Sequence, residues 1–138
     1  MGQIHAEIEL INSDDLSMVK KGALDMDDIK RINVKVLVDT GAISLAINEN
    51  IQEYLQLSVS ENRRFQLADG TTAEYLIVGP IDIRFKNRRV TCDAIVLPGD
   101  AEPLLGCVPM QIMDVVIDPR HKELVVNPKH PDYAVHRL

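Results

Sequence analysis

Tryptophan is absent, and three tyrosines with two phenylalanines are the only aromatic residues, so the core this chain builds must be aliphatic. No stretch approaches the ~18 consecutive apolar residues of a membrane-spanning helix. The N-terminus lacks the basic and apolar regions of a secretory signal, and Ala6 stands where a myristoylation motif requires Ser or Thr. Cysteine is scarce too. Cys92 and Cys107 lie far apart without histidines at ligand spacing, which predicts reduced, buried thiols rather than a disulfide or a metal site. Positive charge is in deficit: 15 basic against 21 acidic residues leave a net charge of −6, which argues against a nucleic-acid partner. The local cluster Lys86, Arg88, Arg89 reads as a charged hairpin turn. Asp25, Asp27 and Asp28 lack the glycine and terminal glutamate of a calcium loop. These absences predict a cytoplasmic protein with no membrane anchor, no metal and no cofactor.

What remains is one domain's worth of chain: 138 residues, 46% hydrophobic, with a mean hydropathy of −0.04. Period-2 patterning dominates. Ile4, Ala6, Ile8 and Leu10 alternate with polar residues, as do Ile32, Val34, Val36 and Val38. Asn12 to Asp15 is turn chemistry, and Leu16 to Lys30 reads as a solvated loop or ragged hairpin. Ile43 to Ile47 is a short strand. Asn48 then offers a helix N-cap, followed by an apolar stripe of Ile47, Ile51, Tyr54 and Leu55 that Ser58 to Asn62 ends. Asp69-Gly70 between Phe65–Ala68 and Thr71–Val78 predicts a tight type I′ hairpin. Gly79-Pro80 punctuates before two further strands, Ile81–Phe85 and Val90–Leu97. Pro109 suits the first turn of a short helix through Met113. Val115–Asp118 and Glu123–Val126 pair around Pro119 to Lys122, and His5, His121, His130 and His136 are assigned no chemistry.

The stretch with the strongest chemical demand is Asp39-Thr40-Gly41-Ala42. It delivers a carboxylate from the end of a β-branched strand into a small polar turn, where it needs hydrogen bonds or a catalytic task. Val36 to Ala42 resembles the active-site strand and loop of the retropepsin-like aspartic proteases, the single-domain group that includes the retroviral proteases and their bacterial relatives. Leu104-Leu105-Gly106 resembles the second hallmark of that family, two hydrophobic residues and a glycine. The resemblance extends from about Val34 to Asn127. It implies an all-β fold, a small closed or partly open barrel of six to nine strands with one or two short helices. Residues 1–127 would form a single domain with its motif-bearing core over 32–127, and 128–138 an extended tail.

The resemblance also implies a chemistry. An aspartic mechanism needs two carboxyls about 3 Å apart, and this chain carries one Asp-Thr-Gly and no Asp-Ser-Gly. A homodimer with one Asp39 per subunit would complete the pair and cleave a peptide or protein substrate. By the family pattern Thr40 bonds across the axis, Gly41 lets the loop turn, and Ala42 lines the groove. Leu67, Ala68, Asp69, Gly70 and Thr71 would form a flap over the substrate, with Asp69 bringing a charge close to it. Leu104, Leu105 and Gly106 complete the site, Gly106 by allowing close backbone approach. The family often places a charged residue just past each motif to brace the dimer. Ile43 and Cys107 occupy those places, which supports an alternative: a catalytically silent dimer serving as a peptide-binding or regulatory module. A glycosidase pairing Asp39 with Asp69 lacks a second acid from a comparably buried strand end.

Overall fold

The period-2 runs become strands in a computed structural model that describes residues 2–138. In order these are β1 (His5–Asn12), β2 (Arg31–Val38), β3 (Leu45–Asn48), β4 (Val59–Gln66), β5 (Thr72–Phe85), β6 (Arg88–Leu97), β7 (Leu104–Leu105), β8 (Val115–Asp118) and β9 (Glu123–Val126). Three short α-helices interrupt them: α1 (Ser13–Lys20), α2 (Glu49–Leu55) and α3 (Cys107–Met113). The main sheet runs β1-β2-β7-β3-β6-β5-β4, and it curls until β1 also pairs with β5. The alternating face of β1 is buried throughout, with Leu10 fully enclosed, and the core it enters is aliphatic apart from Phe85 and two methionines. Leu45, Ile47, Leu55, Ile81 and Ile83 fill it, each stabilising the fold by about 1.5–3 kcal/mol relative to exposure. Among the described residues no helix is long and apolar enough to cross a membrane.

Four local expectations need correcting. Ser13 to Lys20 is a helix, not a turn and loop, because Asn12 caps it by accepting the Asp15 amide at 3.2 Å. Its docking is polar: the Ser13 hydroxyl donates to Asp82 at 2.6 Å, and Asp15 accepts the Lys30 amide at 2.9 Å. A helix held this way shows no apolar stripe. Second, β4 starts at Val59, so the polar run Ser60 to Arg64 is strand rather than helix end. It lies at the sheet edge with both faces in water, which removes the alternation that would have revealed it. Third, Gly79-Pro80 sits inside one 14-residue strand as a register shift between Val78 and Ile81. Gly79 has φ +154°, and a Cβ there would fall 3.1 Å from the Asp93 Cα. Fourth, Tyr54 is exposed, leaving Ile51 and Leu55 as the buried face of α2. The Asn48 cap itself stands, its side chain accepting the Ile51 amide at 2.9 Å.

The cysteines are unpaired and half-buried, and burial pushes the Cys92 thiol up to about 12, aided by the charges of Asp93 and Asp82. That thiol is unreactive at neutral pH.

The tail is clasped to the sheet by Asp114, which comes directly after α3. Its carboxylate accepts from the Asn127 side chain at 3.0 Å and the Val135 amide at 3.1 Å, and meets His130 Nδ1 at 2.6 Å. Arg88, its side chain 1% exposed, lies 3.7 Å from the same carboxylate and also donates to the His130 carbonyl. The hydrogen bond from Asn127, then those from Val135 and His130, hold Asp114 down to about 2, against 3.8 for a free side chain. A depressed acid contributes stability above its unfolded value and loses it as pH falls through its folded value. Asp114→Asn should therefore melt below the wild type at pH 7, with the gap closing between about pH 4 and pH 2. Thermal unfolding of both chains across that range measures it; a gap independent of pH removes the charge from the account.

Candidate functional site

Strand β2 delivers Asp39, and the segment around β7 holds the loop that Asp39 begins. β2 and β7 run parallel with Leu37 beside Leu104 and Val38 beside Leu105. The Asp39 amide donates to the Leu105 carbonyl at 3.0 Å. Beyond Gly106, the first amides of α3 would have no partner within the helix. Here they donate to the loop: Cys107 N to the Ala42 carbonyl at 2.8 Å and Val108 N to the Ile43 carbonyl at 3.0 Å. The loop is thus clamped by a strand on one side and a helix start on the other. At Gly106 a Cβ would sit 2.6 Å from the carbonyl carbon of Ile43 and closer still to the Ser44 oxygen. Only glycine fits there. Ile43 and Cys107, which stand where the family pattern puts a charged brace, are joined to this clamp through their backbones instead.

Within the loop, Asp39 is half-buried and Thr40 and Gly41 are exposed. One carboxylate oxygen accepts the Gly41 amide at 2.9 Å, and the Asp39 carbonyl accepts the Ala42 amide at 3.1 Å. The side chain therefore has a set direction before any ligand arrives.

Three cavities meet at this loop. Gly41, Ala42, Leu67 and Leu104 line a groove of about 500 Å³ beneath the β4–β5 hairpin. Asp39 and Thr40 line an adjoining cleft of about 570 Å³ with Ile4, Ile117 and Pro119. Thr40 also borders a third, of about 500 Å³, with Met110 and Val116. Leu105 is fully buried, so it and Gly106 support the loop from behind and do not line the groove. Ala68, Asp69, Gly70 and Thr71 lie at the exposed hairpin tip, outside the groove lining.

The tip also differs from the type I′ turn expected. The Gly70 amide bonds to the Leu67 carbonyl at 3.0 Å, the Leu67 amide to the Thr71 carbonyl at 2.7 Å, and Gly70 alone among these residues has positive φ, +86°. That is a three-residue loop ending on a left-handed glycine. The Asp69 carboxylate turns back to accept the Thr71 hydroxyl at 2.6 Å and the Thr71 amide at 2.9 Å, and these bonds hold its pKa below the usual carboxylate value. Its charge is committed to the turn.

Sequence reasoning missed the groove's wall. Phe65 and Tyr75 are diagonal neighbours on β4 and β5, their tilted rings 5.8 Å apart between centroids, and Arg63, Ile95 and Leu97 join them. The one trace of it in the sequence is the parity of residues 63 and 65, which share a face once β4 is known to be a strand.

Among the described residues one cluster has ligand atoms close enough for a metal: Asp118, His121 and Glu123, within 4.8 Å at the exposed β8–β9 turn. Asp118 accepts from His121 Nδ1 at 2.8 Å, which raises the histidine's pKa and lowers the acid's. With Nδ1 engaged by Asp118, the imidazole has only Nε2 left to offer an ion.

The model of the family described as "gag-polyprotein putative aspartyl protease" matches residues 28–110, three-fifths of the chain. No curated protein matches it in sequence. Among solved structures, the retroviral protease-like domain of Ddi1 from Leishmania major is similar, at a TM-score of 0.57 and 16% identity, over 93% of this chain and 90% of that one. At that identity the likeness shows the fold. Both the Asp39 turn and the Leu104–Gly106 clamp fall inside the matched span, and the chain belongs to the gag-polyprotein aspartyl protease family, with a retropepsin-like fold.

Proposed function

We propose that this protein is an aspartic endopeptidase that works as a homodimer, with one Asp39 from each subunit forming the catalytic pair. One observation carries the reading: among the described residues lining the three cavities that meet at the loop, Asp39 is the sole carboxylate. The second acid must come from another copy. A surface for that copy lies alongside, since Ile43 is 69% exposed and Val108, Ile112 and Val116 present further apolar side chains to solvent.

In the pair, two carboxyls about 3 Å apart share one proton, because both cannot ionise together. The ionised member draws a proton from a water held between them. The protonated member donates to the scissile carbonyl and stabilises the tetrahedral intermediate. Thr40, at the outer edge of the loop, bonds across the two-fold axis. Gly41 fixes the acid's direction through its amide, and Ala42 with Leu67 and Leu104 contacts the peptide in the groove. The β4–β5 hairpin acts as the flap. The catalytic unit is a single domain through Asn127, with residues 128–138 held on it by the Asp114 clasp.

A silent peptide-binding dimer would use the same groove without turnover. Dilution separates the readings from a monomeric enzyme as well. Peptide cleavage per subunit should fall as the protein is diluted through the dimer's dissociation range, tracked by sedimentation equilibrium on the same samples. Undiminished cleavage by sedimenting monomers, or dimers with no turnover of any peptide, rules the endopeptidase out.

A further inference from the structure

The groove beneath the hairpin is apolar along most of its wall and charged at one place. Among the described residues that line it, Arg63 is the one charged side chain. Strand parity puts it there: Arg63 and Phe65 share the inner face of β4, and Arg63 stands opposite Tyr75 in the β5 register. The next residue, Arg64, points to the outer face and pairs with Glu74 across the strands at 3.4 Å. Arg64 is thereby spent outside the groove, whereas Arg63 is turned towards it.

Arg63 has a neighbour of opposite sign in Glu61, two residues back on the same face, and the two side chains form an ion pair. Glu61 does not line the groove. Both members are about half exposed, 53% and 48%, and exposed pairs of this kind are weak. A carboxylate brought into the groove meets Arg63 in a less hydrated setting, where a charge-assisted, two-pronged contact is stronger. Guanidinium keeps its charge at any working pH and matches a carboxylate's two oxygens, which an ammonium does not.

We propose that Arg63 is a specificity-determining residue, selecting peptides that carry an acidic side chain near a large apolar one seated against Phe65 and Tyr75. This rests on the endopeptidase reading of the same groove. The overall field points the other way, because a chain of net charge −6 repels acidic ligands at long range. Any preference for an acidic peptide must therefore arise locally, at Arg63. Phe65, Tyr75, Ile95 and Leu97 supply the apolar wall, and without a buried polar partner among them they cannot discriminate by charge.

The test uses one peptide frame with a central Phe-Leu, carrying Glu, Gln or Lys at each flanking position in turn. Affinity is read by fluorescence anisotropy on the full-length Asp39→Asn chain, which does not turn the peptide over, and kcat/KM is read on the wild type. At one flanking position Glu should be favoured over Lys about tenfold, the scale of one charge-assisted contact. Arg63→Gln should flatten that preference, and Arg63→Glu should reverse it towards Lys. Arg63 is exposed, so both variants keep the fold, which a melting curve checks. Equal affinity for the three peptides, no affinity for any, or a glutamate preference that survives Arg63→Gln overturns the inference. Should the wild type cleave none of them while binding still selects glutamate through Arg63, the catalytic reading fails and the selectivity stands.

Discussion

Asp39→Asn should fold and dimerise as the wild type does and cleave peptides roughly 10⁴-fold more slowly or not at all. The fold is spared because asparagine keeps the oxygen that accepts the Gly41 amide at 2.9 Å, so the loop retains its turn. The clamp from Leu105, Cys107 and Val108 engages backbone atoms alone and is untouched by the side chain. What is lost is the exchangeable proton. An amide neither takes a proton from water near neutral pH nor shares one with a partner across the axis. Mixing sharpens the test. In a one-to-one mixture with free subunit exchange, about a quarter of the dimers hold two acids, so cleavage per wild-type subunit falls about twofold. Excess variant drives it towards zero. A self-sufficient monomer would show no such poisoning, and cleavage by purified Asp39→Asn would falsify the mechanism outright.

The parts of the fold legible in the sequence are those where one face is apolar and the other wet. β1 and β2 announce themselves by alternation, the β8–β9 pair by two apolar arms around Pro119 to Lys122, and Asn48 by its place before an amphipathic turn. The illegible parts are held by polar or distant partners. Helix α1 docks through Ser13 on Asp82 and Asp15 on Lys30, contacts separated by 69 and 15 residues, and it carries no apolar stripe. β4 is an edge strand with water on both faces. The Asp114 clasp draws on Arg88, Asn127, His130 and Val135, whose convergence depends on how α3 meets the start of β6. The site divides the same way. The acid and its glycine-bearing clamp lie in two short motifs, whereas the groove's wall of Phe65, Tyr75, Ile95 and Leu97 is assembled from three strands.

Gly106→Ala should be among the most damaging single-methyl changes available to this chain, lowering stability by about 3 kcal/mol or more. The cost is not conformational. Gly106 has φ −87° and ψ 178°, an extended geometry any residue adopts, so glycine is not needed for its torsion angles. It is needed for space. The added carbon would fall 2.6 Å from the Ile43 carbonyl carbon and 2.7 Å from its oxygen, and these are backbone atoms that no rotamer change can move. Relief requires parting the start of α3 from the loop. That motion stretches the Cys107–Ala42 and Val108–Ile43 hydrogen bonds, now 2.8 and 3.0 Å, which close the clamp on Asp39. Stability and catalysis should therefore fall together, and cleavage should stay low even at temperatures where the variant remains folded. Gly70→Ala supplies the contrast. Its φ of +86° makes it strained, yet nothing lies within 4 Å of the new methyl, so it should cost about 1 kcal/mol at the hairpin tip. Denaturant titration of the two variants beside the wild type measures the difference. A Gly106→Ala chain as stable as Gly70→Ala would mean that α3 and the Asp39 loop are not pressed together as tightly as the geometry requires.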